Sequence, residues 1–148
     1  MPTPLRELAL AAIATRLDAQ TTATVERARR APVDVDKDSL PHLNLTGGDW
    51  QADVTAEPLQ THYTMAFIVT GHVRARTDIL AEQATSALHA STVAALTTWE
   101  PSVDGKDTPI EEGADIALLD VEESEKPAGR FSARFTVLIV TTTGTLTA

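Results

Sequence analysis

"LQTHYTMAFIVTGHVRAR" (residues 59–76) decides how the chain folds. Its odd positions are Leu59, Thr61, Tyr63, Met65, Phe67, Val69, Gly71, Val73 and Ala75. Its even positions are Gln60, His62, Thr64, Ala66, Ile68, Thr70, His72, Arg74 and Arg76. One face is apolar and the other largely polar, the signature of a half-buried antiparallel strand. An ordinary strand runs about 5 or 6 residues, and this pattern runs roughly three times as far. A core under two helices covers ~20 Å of sheet, about 6 residues. The excess is therefore expected to project as an arm or to pair with another chain, since an unpaired edge invites association.

Working outward, "RFSARFTVLIVTTT" (130–143) reads as a second long strand. Phe131, Ala133, Phe135, Val137 and Ile139 share one face, while Leu138 and Val140 make its far end apolar on both. "TPLRELALAAIATRLDAQ" reads as an amphipathic helix with Leu5, Leu8, Ala9, Ala12, Ile13 and Leu17 on one side. Thr3 is expected to cap it, with Pro4 in the first turn. "TATVERARR" reads as a weak strand, "APVDVDKDS" as a loop and "LPHLNL" as a short edge or strand start after its proline. "TGGDWQADVTAEP" reads as turn-rich. A second helix starts at Thr77 or Asp78, with Leu80, Ala84, Ala87, Leu88, Ser91, Ala95 and Leu96 inward, and stops near Trp99. "ADIALLDVEES" reads as a strand and "KPAG" as a turn. The order α-β-β-β-α-β-β, with a largely antiparallel sheet, predicts a two-layer α+β sandwich.

The length of 148 residues favours one domain with one core. Without cysteine there is no disulfide framework and no thiolate chemistry. No stretch reads as a signal peptide or a membrane span. The net charge is -9, and nine of the 21 acidic residues lie between Pro101 and Gly129 against Lys106 and Lys126. The basic footprint of a nucleic-acid binder is missing. The acidic run reads as a solvated loop and strand edge.

The catalytic inventory is poor. Asp34, Asp36 and Asp38 open like a calcium loop, but Ser39 stands where glycine is needed and Leu45 where the bidentate glutamate belongs. His62 and His72 share a strand face but lie about 33 Å apart, too far to ligate one metal. His89 has no histidine one turn away, and His42 has no nucleophile near it. All four histidines read as surface or interface side chains. "TGGD" is no phosphate loop, and no serine sits in a nucleophile-elbow frame. Trp99 reads as core. Trp50, in a loop rich in glycine and aspartate, reads as an interface anchor or a side chain packed on its own domain.

This layout resembles the tail-terminator (tail-completion) proteins of long-tailed phages and gene transfer agents. The resemblance covers nearly the whole chain: a helix "LRELALAAIATRL", an arginine-bearing strand "VERARR", an acidic loop, a long strand, an alanine-rich helix, an acidic segment and a final long strand. Its most recognisable part is D-x-L-P-x-L-x-L-x-x-G-D, Asp38 to Asp49. The resemblance implies a single such domain over 1–148 and a homohexameric ring on the last ring of tail-tube subunits. That ring would end tube polymerisation and offer a docking surface to a head-side connector or neck protein. It would act without catalysis, cofactor, metal or membrane, in a virion tail or tail-like particle assembled in the bacterial cytoplasm. DNA would pass the lumen without sequence-specific binding.

Two other readings stand beside it. One is a head–tail joining or other neck component. The other is a small ligand-binding or enzymatic α+β domain using His62, His72 or Arg74, though an enzyme needs its polar groups convergent and these are strung along one strand. The residues expected to meet other subunits or partners are Trp50, Tyr63, Met65, Arg74, Arg76, Arg130 and Arg134. The four arginines read either as solvated surface charges or, in part, as partners of acids in the 101–129 segment of a neighbouring subunit.

Overall fold

The computed structural model describes residues 3–36, 38–53, 59–121 and 126–148, with backbone alone over 114–121. In chain order the elements are α1 (Leu5–Gln20), β1 (Thr24–Arg27), β2 (His42–Asp53), β3 (Gln60–Arg74), α2 (Asp78–Thr97), β4 (Ser102–Val103), β5 (Lys106–Asp107), β6 (Ile110–Val121) and β7 (Ala128–Thr142). The main sheet runs β1-β2-β3-β7-β6, and β4 and β5 form a small separate hairpin. Every pair in the main sheet is antiparallel except β1 with β2. Two helices on a mostly antiparallel sheet make an α+β sandwich, with the main elements in the order read from the sequence.

The alternation of residues 59–76 is realised in β3. Met65, Phe67, Val69 and Val73 are buried beneath the helices, as are Phe131, Ala133, Phe135, Val137 and Ile139 of β7. Phe67 and Phe135 lie opposite each other in register and stack with centroids 5.5 Å apart. Leu43 and Leu45 extend this core from β2, and Leu5, Ile13, Leu17 and Leu96 close it from the helices. On the even face Leu138 and Val140 are half-buried, so the far end of β7 is not sealed on both sides.

The projecting arm expected from strand length does not form. β3 pairs with β7 over its whole length, Gln60 opposite Thr142 through Arg74 opposite Ala128. On its other side β2 accompanies it from His72 down to His62. Both long strands are therefore interior strands, and their length gives no reason for an outside partner. The reason lies in β2. The Gly47–Gly48 pair does not turn the chain; it makes a register shift between Gly47 and Trp50, and the strand continues to Asp53. A bulge absorbs the extra residue and lets pairing resume. Residues 54–58 lie outside the described residues. Likewise the stretch before Ile116 is not all loop: β6 starts at Ile110 and shifts register between Glu112 and Ile116. Ala128 and Gly129, expected in a turn, begin β7.

The caps differ in an instructive way. Pro4, not the first helical residue, is the N-cap of α1, and no side chain caps it. The C-terminal residues do so instead: Leu5 N–H donates to the Leu146 carbonyl (2.9 Å), and Thr3 and Ala148 exchange backbone bonds at 3.0 and 2.9 Å. This satisfies donors that a helix start leaves open. α2 is capped as expected, the Thr77 hydroxyl accepting from Leu80 N–H at 3.2 Å.

The inner face of α2 is turned from the expected one. Ala81, Thr85, Leu88, Thr92, Ala95 and Leu96 are buried, while Ile79 is 69% exposed and Leu80 46%. Gly129 explains the turn. A side chain there would collide with the Thr85 hydroxyl, so its absence lets the helix sit low over β7. The two buried threonines donate to the Ala81 and Leu88 carbonyls at 2.7 and 2.8 Å, leaving neither hydroxyl orphaned. Trp99, expected in the core, is half-buried against it under the Arg16 guanidinium, 5.4 Å from its ring centroid.

Candidate functional site

The residues expected to meet partners fall into two groups at opposite ends and faces of the sheet. At one end Trp50 sits opposite Met65, and Ala52 opposite Tyr63. Trp50 and Tyr63 meet edge to face, centroids 5.1 Å apart, each half-buried against the core. Trp50 thus belongs to a strand rather than a loop. Met65 has no exposed surface and is part of the core.

Toward the other end lie Arg74, Arg76 and Arg130, with Arg134 midway along β7. Arg74 donates from Nη1 to the Val35 carbonyl at 2.9 Å, so it anchors a loop of its own chain. Arg76 lies exposed beyond β3. Arg130 is exposed opposite His72, and Arg134 is half-buried opposite Ile68. Among the described residues Arg76, Arg130 and Arg134 have no salt-bridge partner. His62, His72 and Arg74 do not converge on one point, because they share a single extended strand.

The loop between β1 and β2, expected from the sequence as plain loop, forms a strap over the even face. Asn44 holds it by a reciprocal pair, accepting from Arg29 N–H at 3.1 Å and donating to the Arg29 carbonyl at 3.2 Å. Arg29 Nη2 donates to Asp38 at 2.8 Å, and Asp38 also accepts the Asp34 N–H at 2.6 Å. The Asp34 amide, then Arg29, hold the Asp38 carboxyl below the ordinary carboxylate range. Val35 plugs the strap into the chain, buried as a core residue is. The usable signal was the run of aspartates at alternate positions, which favours Asx-type local bonds such as Asp36 N–H to Asp34 Oδ1 at 3.0 Å.

Beneath the strap is a hollow of about 390 Å³ reached by Arg29, Arg30, Val35, Asn44, His72 and Arg130. His42, expected at a surface, is only 1% exposed; its ring lies edge-on to that of His72, and its Nε2 is 3.1 Å from a Glu26 carboxylate oxygen. His72 is pushed down to about 4, chiefly by burial and next by the Arg130 charge. Its Nδ1 is buried without a hydrogen-bond partner. A second groove, about 400 Å³, runs where Ala84, Ala87 and Ser91 of α2 face Leu40, Pro41 and Val73. Among the described residues no three acidic or histidine side chains stand close enough to hold a metal ion, and no helix is long and apolar enough to cross a membrane.

No protein-family model and no curated protein matches the chain. Among solved structures it is similar to a chain of the virion of a native gene transfer agent particle, at 13% identity and a TM-score of 0.51, over 93% of this chain and 92% of that one. It is also similar to the sheath/tube terminator of an extracellular contractile injection system in its extended state. There the identity is 14% and the TM-score 0.46, over 100% of this chain and 61% of that one.

Proposed function

We propose that the chain is a structural subunit of a phage-type tail. In this reading, residues 1–148 form one tail-terminator-like domain that joins copies of itself in a hexameric ring on the last ring of tail-tube subunits. The ring stops the tube from growing and presents a surface to a head-side connector. DNA crosses its lumen without being read. Assembly takes place in the bacterial cytoplasm, and the chain ends up in a virion tail or tail-like particle.

The stretch from Asp38 to Asp49 carries this reading. It is the most recognisable part of the family resemblance, and in the fold it closes the strap and opens β2. A fold shared with a chain of a gene transfer agent virion supports it. So does the outer surface. The helices cover one face of the sheet, and on the other Ile68, Leu138 and Val140 keep part of their apolar surface open. Ile79 and Leu80 add exposed apolar side chains on α2. Open apolar surface of this kind suits contacts with other subunits.

The test is particle assembly without this chain. Tubes of uncontrolled length are expected, seen by negative-stain microscopy. Tubes of normal length that fail to join heads would point to a neck component instead. Normal tails that join heads would remove both.

A further inference from the structure

We propose that the hollow beneath the strap receives an aspartate or glutamate side chain from the 104–112 stretch of a second copy of this chain. The proposal rests on the ring reading and names the contact that would hold neighbouring copies together.

The acceptor side is built for a carboxylate. Arg30 and Arg130 both reach the hollow, and neither has an ion-pair partner among the described residues. Arg29 is already committed to Asp38 and Glu26, which leaves those two cations uncompensated. No carboxylate lines the hollow among the described residues. His72 lines the hollow as well, and its Nδ1 has no hydrogen-bond partner. Asn44 and Thr70 add polar atoms. Pro32 and Val35 form an apolar wall against which an aliphatic stem can lie.

The donor side is on the same chain but out of its own reach. Asp104, Asp107, Glu111 and Glu112 are exposed, and none has a salt-bridge partner among the described residues. Glu111 stands opposite Thr136 on β7, whereas the hollow is at Arg130. Six strand residues separate them, about 20 Å, beyond any side chain. Glu111 and Glu112 stand on β6, the outer strand of the main sheet among the described residues, while Asp104 and Asp107 belong to the β4–β5 hairpin. Two different patches that complement each other give a head-to-tail contact, which closes into a ring or runs on as a filament. A nucleic-acid phosphate is disfavoured by the net charge of -9.

Charge exchange between full-length chains tests this by sedimentation velocity, with circular dichroism to confirm folding. One variant carries Arg30→Glu and Arg130→Glu. The other carries Asp104→Lys, Asp107→Lys, Glu111→Lys and Glu112→Lys. Each alone is expected to weaken self-association about tenfold or more, and an equimolar mixture of the two to restore it. Wild-type chains that associate while both variants associate equally well overturn the contact and leave the ring reading standing. A wild-type chain that stays monomeric at all concentrations removes the ring reading and the contact with it. If the arginine variant instead loses binding to duplex DNA and keeps its self-association, the hollow belongs to phosphate and the proposal is wrong.

Discussion

Gly71 and Phe131 face each other in register across β3 and β7, and the phenyl ring occupies the space a side chain at 71 would need. His89 of α2 lies against the same ring, centroids 5.2 Å apart, and the ring is fully buried. Gly71→Ala is therefore expected to destabilise the chain by about 1–3 kcal/mol through overpacking. Urea denaturation measures it. Combining it with Phe131→Leu should recover part of the loss, a coupling that a double-mutant cycle reads. An unchanged midpoint for Gly71→Ala would show that the ring moves freely.

The aromatic end of the sheet separates folding from association. Met65→Ala empties a fully buried site and is expected to cost about 2–5 kcal/mol. Trp50→Ala removes a half-buried ring that pairs with Tyr63, and the pair itself is worth about 0.5–1.5 kcal/mol beyond its area. The Trp50 variant should stay folded by circular dichroism and associate less by sizing chromatography. A folded Trp50→Ala chain with unaltered association would confine Trp50 to its own subunit.

These two cases mark what could be read in the sequence. Period-two alternation placed β3 and β7, because one residue set had to lie under the helices whatever the neighbours were. It could not show that a glycine pair continues β2, since a bulge and a turn use the same residues and differ only in what the next strand does. α2 failed for another reason. Ala81, Ala84, Ala87, Ala90, Ala94 and Ala95 give it nearly equal small surfaces on several sides. The choice of face then falls to the partner, and the partner is the bare backbone at Gly129. The arginines of the expected contact set were visible as charges, but Arg74 is spent on Val35, and the hollow needs a loop whose path depends on Asn44 and Asp38.

Arg74 offers a direct measure of the strap. Arg74→Ala removes the bond to the Val35 carbonyl and is expected to cost about 1 kcal/mol locally. Hydrogen exchange at Asp38, whose N–H donates to the Asp34 carbonyl, should speed up about fivefold while β3 amides stay protected. Unchanged exchange would mean that Asn44 and Arg29 hold the strap without it.

His72 gives a pH dependence with a definite sign. Its folded value, about 4, lies below the ordinary 6.5, so the unfolded chain binds the proton more readily. Its contribution to stability is whole above pH 6.5, declines as pH falls from there toward about 4, and changes no further below that. Urea midpoints should therefore drop across this window in the wild-type chain and drop less in His72→Gln. Equal slopes in both chains would assign the acid loss to another group.

The fifteen-residue ladder between β3 and β7 also has a mechanical consequence. Its hydrogen bonds lie across the strands, at right angles to their length. Tension applied along the strands from opposite ends would load these rungs in parallel, as a lap joint is loaded, instead of peeling them one after another. A pull from the open sheet edge at β6 would meet its rungs in sequence and detach that strand first. The subunit is thus stiffest along the β3 direction and weakest across it, so single-molecule pulling should give a much higher rupture force with handles at the ends of β3 and β7 than with handles that peel β6.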